Sequence, residues 1–145
     1  MTLLAKVASA VVSDPLPGPR HESPPDMAGW NLALRFGVEL VALVGLGAGG
    51  SSLGGALGAI LAIVLPLTGA AAWAVFNVEG DPSRSGRAPV PVPGSVRLAV
   101  EAAVFVGGAA GWFAAGYPWV GATVAGAAVL TTAASLPRVR WLLDR

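Results

Sequence analysis

Two long stretches of the chain carry no charged side chain: 39 residues from Leu40 to Val78 and 36 from Ala102 to Pro137. A helix needs about 20 residues to cross the hydrocarbon core of a bilayer. Each stretch, extended backwards by a turn or two, has room for two crossings and a tight connection. Glycine and serine at Gly47-Ala48-Gly49-Gly50-Ser51-Ser52 predict a turn in the first, and Gly116-Tyr117-Pro118 predicts one in the second. The pattern therefore predicts four helical spans, near 31–48, 53–77, 96–114 and 118–136. Pro66 falls inside the second and removes one backbone donor, which predicts a kink of the kind membrane helices tolerate. A soluble bundle would show a polar face on every helix, whereas Leu53 to Val78 offers only Thr68 and Asn77. The expected fold is all-α, an integral membrane four-helix bundle.

The flanks divide the chain into three parts: a proline-rich tail over 1–29, a four-span domain over 30–137 and a basic tail over 138–145. Ser13 to Asp26 holds Pro15, Pro17, Pro19, Pro24 and Pro25, which is linker chemistry. Ala8-Ser9-Ala10 resembles a signal-peptide cleavage site, but Lys6 interrupts the short apolar stretch before it. Met27 directly precedes the first span and offers a second translation start. The loop from Gly80 to Pro93 is rich in proline and reads as irregular.

Charge sets the orientation. Lys6, Arg20 and Arg35 precede or open the first span; Arg84, Arg87 and Arg97 lie between the second and third; Arg138, Arg140 and Arg145 follow the fourth. All nine basic residues thus mark one membrane side, expected to be cytoplasmic, with both termini inside. Trp30, Trp73 and Trp141 fall near that interface, and Trp112, Tyr117 and Trp119 near the opposite one. The location this implies is the inner (plasma) membrane of a cell, crossed several times.

Composition agrees with the pattern and narrows the chemistry. Hydrophobic residues make up 54% and charged ones 12%, against roughly 25% in an average soluble domain. A net charge of +1 argues against nucleic acid as a partner. With no cysteine and one histidine, disulfides, thiolate metal sites and cysteine nucleophiles are excluded, and nothing suggests a metal or cofactor.

A shift of 62 residues reveals a repeat. Arg35-Phe36-Gly37-Val38-Glu39 lies over Arg97-Leu98-Ala99-Val100-Glu101, Val44-Gly45 over Val106-Gly107, and Ala48-Gly49 over Ala110-Gly111. Alanine, glycine and valine match by chance in such a composition; arginine and glutamate do so less readily, with only eight Arg and four Glu in the chain. Two copies of one helical hairpin would be parallel repeats about a pseudo-two-fold axis along the membrane normal. Spans one and three would then face each other, with Glu39 and Glu101 at equal depth.

Asn31, Arg35 and Glu39 share one helix face at i, i+4, i+8, and Arg97 and Glu101 repeat the i, i+4 pair. Each glutamate lies about 6 Å deeper than its arginine by helical rise. An intramembrane carboxyl is costly and signals function by default. These five residues are the candidate substrate- or ion-binding set, and Glu39 with Glu101 the candidate catalytic pair if the protein is an enzyme. The architectural alternative is that Arg35 and Arg97 neutralise their own glutamates, or cross-pair as Arg35–Glu101 and Arg97–Glu39 and lock the two halves together.

Other motifs carry less. Gly45, Gly47 and Gly50 form a G-x-G-x-x-G, but the apolar run before it is too long for a strand and no acid follows until Glu79. Small residues four apart, such as Gly54 with Gly58 and Gly107 with Gly111, are close-packing motifs of membrane helices, and surplus surface of this kind suits a homodimer. His21 lies in the proline-rich tail, and no G-x-S-x-G elbow is present.

The run Asn31-Leu32-Ala33-Leu34-Arg35-Phe36-Gly37-Val38-Glu39-Leu40 resembles the start of the YrdB-like family of small bacterial membrane proteins. Trp73-Ala74-Val75-Phe76, Pro93-Gly94-Ser95-Val96-Arg97-Leu98-Ala99-Val100-Glu101 and Gly116-Tyr117-Pro118-Trp119 look like the same family, so the resemblance covers about 30–136. It implies four spans and assigns no activity. Three functions stay open: ion- or proton-linked transport of a small solute through the paired glutamates, acid–base catalysis on a lipophilic substrate (an isomerase, cyclase or epoxide-opening hydrolase), and a structural or accessory subunit. The partners these imply are the lipid bilayer, a second copy, and a small lipophilic molecule or ion.

Overall fold

A computed structural model describes residues 25–83 and 87–145. The described chain forms five helices: α1 over Gly29–Ser51, α2 over Gly55–Val75, α3 over Gly94–Ala114, α4 over Pro118–Ala134 and α5 over Leu136–Leu143. Two two-residue strands, β1 (Phe76–Asn77) and β2 (Val90–Pro91), pair in parallel and close the base of the α2–α3 loop. Residues 1–24, with Lys6, Arg20 and His21, and residues 84–86, with Arg84, lie outside the described residues.

α1, α2 and α3 are each long and apolar enough to cross a membrane. α4 and α5 reach that standard only together, as a pair bent by 73°. The chain is a multi-pass membrane protein, with three such spans among the described residues, or four if the bent pair is one. Helix α2 explains why water is an unsuitable solvent. Only Gly58 and Trp73 are buried along it, while Leu57, Ile60, Ile63, Val64 and Leu67 point outwards.

The centre of the bundle is the crossing of α1 and α3. Gly45 lies against Gly108, and a Cβ on Gly49 would stand 2.6 Å from the Cα of Gly111. Contact positions rise together along both helices, so the two run parallel. Small residues permit this approach, which replaces side-chain interdigitation with backbone contact. The Trp112 indole on α3 donates to the Val41 carbonyl on α1 at 2.9 Å. α2 packs antiparallel on α1, with Gly50 over Leu61 and Gly47 over Ala62. α4 packs antiparallel on α3, with Gly121 against Ala109 and Phe113, and also touches α1. The shared core gathers Val38, Ala42, Trp73, Val104, Phe105, Ala109, Val124 and Ala128.

Three expectations change. The turn expected at Gly47 to Ser52 sits later, over 52–54, because Gly49 and Gly50 are used as helical contact points against α3 and α2. Pro66 lies inside helix α2, within the span expected to hold it. The expected basic tail is instead helix α5, whose Arg138, Trp141 and Leu142 are buried. Spacing of i, i+3, i+4 puts these three on one face, and the Gly94 N–H donates to the Arg145 carbonyl at 3.2 Å, fastening the end of α5 to the start of α3. Trp73 and Trp141 are likewise interior, at 2% and 6% exposure, rather than a lipid-facing belt.

Candidate functional site

At the end of the bundle where α1 and α3 begin, six charged side chains converge. Arg35 and Glu39 come from α1, Arg97 and Glu101 from α3, Arg138 from α5 and Asp81 from the α2–α3 loop. Three cations and three anions balance, which is the condition under which charges tolerate burial.

Glu101 is the hub. Its Oε1 lies 2.7 Å from Arg138 Nη2 and 3.3 Å from Arg97 Nη2. Its Oε2 accepts from Arg138 Nη1 at 3.2 Å and pairs with Arg35 Nη2. One carboxylate thus meets three guanidinium groups from three helices. Arg138 binds it in the two-pronged geometry that makes Arg–carboxylate contacts strong.

Asp81 is the second hub. Arg138 Nε and Nη2 donate to its two oxygens at 2.7 and 2.6 Å, and Arg97 Nε lies 3.7 Å away. The Ser83 backbone N–H donates to Oδ1 at 3.0 Å, the turn that Asp-Pro-Ser favours. Burial alone would raise the Asp81 pKa; the hydrogen bonds and charge of Arg138, helped by Ser83, outweigh it and hold the carboxyl below its ordinary value of 3.8.

The arginines are held from behind as well. Arg97 Nη1 donates to the Trp73 and Phe76 carbonyls, each at 3.3 Å, at the carbonyl-rich end of α2, where the helix dipole favours a cation. Its Cζ lies 5.6 Å from the Trp73 ring centroid, and that of Arg35 lies 5.7 Å from Phe105. Trp73 and Phe105 meet edge to face at 5.3 Å. Arg35 Nε also reaches Glu39 at 3.4 Å.

Four of the five sequence candidates, Arg35, Glu39, Arg97 and Glu101, therefore sit in one cluster. Both i, i+4 pairs form, and so does the crossed pair Arg35–Glu101. Glu101 is turned into the protein among arginines rather than towards hydrocarbon. Asn31 stands beyond Arg35 on α1 and donates to Ser135 Oγ at 2.7 Å, at the α4–α5 bend. Asp81 and Arg138 were missed. Both lie in segments whose composition reads as loop and tail; the signal available was the apolar pair Trp141 and Leu142 on the Arg138 face.

Apolar grooves also run between the helices. One of about 540 Å³ between α3 and α4 is lined by Phe105, Val106, Phe113 and Val129 among alanines. Others of about 490 and 370 Å³ lie between α1 and α2 and between α1 and α4.

Comparison with known proteins places these residues in context. The family model described as "Protein of unknown function (DUF2568)" matches residues 33–129, which includes every cluster residue but Arg138. A relative, "Uncharacterized protein YrdB" of Bacillus subtilis (strain 168), is 34% identical over 116 residues, covering 79% of this chain and 94% of that protein. No solved structure matches the chain.

Proposed function

The chain belongs to the DUF2568 family, and from that premise we propose that it is an architectural or accessory membrane protein, a rigid unit that packs with a partner in the bilayer. One observation carries this reading: the Glu101 carboxylate is held by Arg35, Arg97 and Arg138 together. A proton carrier or a general acid must release and regain its proton at an open oxygen, whereas both Glu101 carboxylate oxygens are taken up by guanidinium groups. Beneath the cluster the backbones of α1 and α3 touch through Gly45, Gly49, Gly108 and Gly111, which leaves no passage along their seam.

The proposed topology has four crossings. Helix α4, with seventeen residues, is at the lower length limit for spanning alone. Helix α5, carrying Arg138 and Arg140, then lies along the inner face after the bend. Both termini are cytoplasmic, as the basic residues favour. The parallel course of α1 and α3, and the contact of Gly49 with Gly111 at matching repeat positions, support the two-hairpin repeat.

A second reading, ion- or proton-linked transport, rests on Glu39. Its side chain is 15% exposed, more open than Glu101 at 6%. Proteoliposomes holding the purified protein separate the two. The architectural reading expects proton and cation flux equal to empty vesicles, in wild type and in Glu39→Gln alike. Flux above that background, lost in Glu39→Gln, would replace it with the transport reading.

A further inference from the structure

The groove between α3 and α4 opens outwards, with Val106, Phe113 and Val129 exposed along it. Its α3 wall runs from Ala102 to Phe113, about 16 Å by helical rise. That is about half of the roughly 30 Å hydrocarbon core, the depth of one leaflet and so of one acyl chain. Small side chains, Ala102, Ala109 and Ala125 among them, keep the groove open. The other grooves are placed differently. The one between α1 and α2 lies towards the opposite end of the bundle, at Leu43 to Ser51 on α1. The one between α1 and α4 ends at Ala127 on α4, short of the bend.

Helix α5 crosses the mouth of the α3–α4 groove. Ala102 and Thr132 mark the groove's end nearest the charge cluster. α5 starts directly after α4 and bends from it by 73°. Its far end is fastened to the start of α3 by the Gly94 N–H on the Arg145 carbonyl. Its buried face, with Arg138, Trp141 and Leu142, is turned to the protein. Its outer face carries Leu136, Arg140 and Leu143 at i, i+4, i+7, all exposed, with exposed Asp144 beside them. Leucines on an interfacial helix sit among acyl chains and hold the neighbouring charges at headgroup depth. Arg140 and Asp144 take part in no ion pair among the described residues. With the cation first, their i, i+4 order is the weaker orientation for such a pair. Arg145 lies over the Trp141 ring, 4.8 Å from its centroid. The groove therefore ends beneath a guanidinium and a carboxylate one helical turn apart.

A zwitterionic phospholipid with a primary ammonium matches this arrangement. A short ethylene link joins its phosphate to its ammonium, and its acyl chains begin just below. We propose that the α3–α4 groove and the outer face of α5 form one site for an ethanolamine phospholipid. One acyl chain lies in the groove, the phosphate meets Arg140 and the ammonium meets Asp144. A choline headgroup carries the same charges but has no N–H to donate, and a glycerol headgroup brings no cation to Asp144. The depth of the site rests on the proposed topology. Lipid binding decides it and flux does not, so it can fail while the architectural reading stands. The test is native mass spectrometry of the full chain released from detergent micelles. Ethanolamine, choline and glycerol phospholipids with identical acyl chains are supplied in equal amounts. One ethanolamine lipid per chain is expected to be retained about threefold or more over either competitor, the scale of one exposed ion pair. Asp144→Asn should remove the preference over choline, and Arg140→Gln should lower retention of all three lipids. Ala125→Phe, which fills the groove from its exposed side, should lower all three without changing their order. Equal retention of the three lipids, preference for the glycerol lipid, or wild-type behaviour in any of the variants would each overturn the site. So would a lipid-free dimer, which would assign the groove to a second copy of the chain.

Discussion

Asp81 shows how one loop residue acquires structural weight. Free in solution it would be an ordinary acid; here two nitrogens of Arg138 and the Ser83 N–H grip its carboxylate. Because its folded pKa is lowered, it stabilises the fold at pH values above 3.8, and that contribution is lost as the pH falls through the folded value. Thermal melts of wild type and Asp81→Asn should differ most at neutral pH, with wild type the more stable, and converge as the pH drops below about 3.8. A gap that stays constant from pH 7 to pH 3 would mean that Asp81 acts through shape rather than charge. Glu101 differs in kind. Its removal leaves three guanidinium groups facing one anion fewer, the case in which a broken buried pair costs about 3–5 kcal/mol.

At the scale of elements, the parallel contact of α1 with α3 does most of the organising, and glycine permits it. A Cβ on Gly111 would run into the Gly45 carbonyl backbone. Gly111→Ala should therefore lower stability by about 1–3 kcal/mol through overpacking, whereas Gly126→Ala, with open space around it, should be near neutral. Equal melting temperatures for the two variants would count against the close crossing. The helices were legible in the sequence to within a few residues at each end, since unbroken apolar length is a strong signal. The two R-x-x-x-E pairs also identified Arg35, Glu39, Arg97 and Glu101, and the crossed partner of Arg35. Helix α5 was not legible as a packed element. It is short, and Arg138, Arg140 and Arg145 read as a solvated run; that Arg138 turns inward depends on carboxylates 37 and 57 residues away. Asp81 was hidden for the same reason, because local turn chemistry explains Asp-Pro-Ser without reference to a distant arginine.

Across the whole molecule, the charges are divided by depth. Apolar surface covers α2 and the outer faces of α3 and α4, while the cluster joins α1, α3, α5 and the middle loop at one end. Hydrophobic burial contributes little to helix association in a bilayer, so close packing and polar contacts must hold the helices together. Glycine contacts serve along the α1–α3 seam, and the arginine–carboxylate cluster serves at its end. This accounts for how a chain so poor in charge can place six charged side chains in one spot. They cross-link elements that apolar contacts alone would leave free to slide. The most direct test is a double-mutant cycle on Arg138 and Glu101, measuring unfolding free energies of wild type, Arg138→Met, Glu101→Gln and the double variant in one detergent. Each single change should destabilise strongly, and the double variant should lose clearly less than the sum, by about 1–3 kcal/mol. Additive losses would show that Arg138 and Glu101 act independently and would contradict the lock.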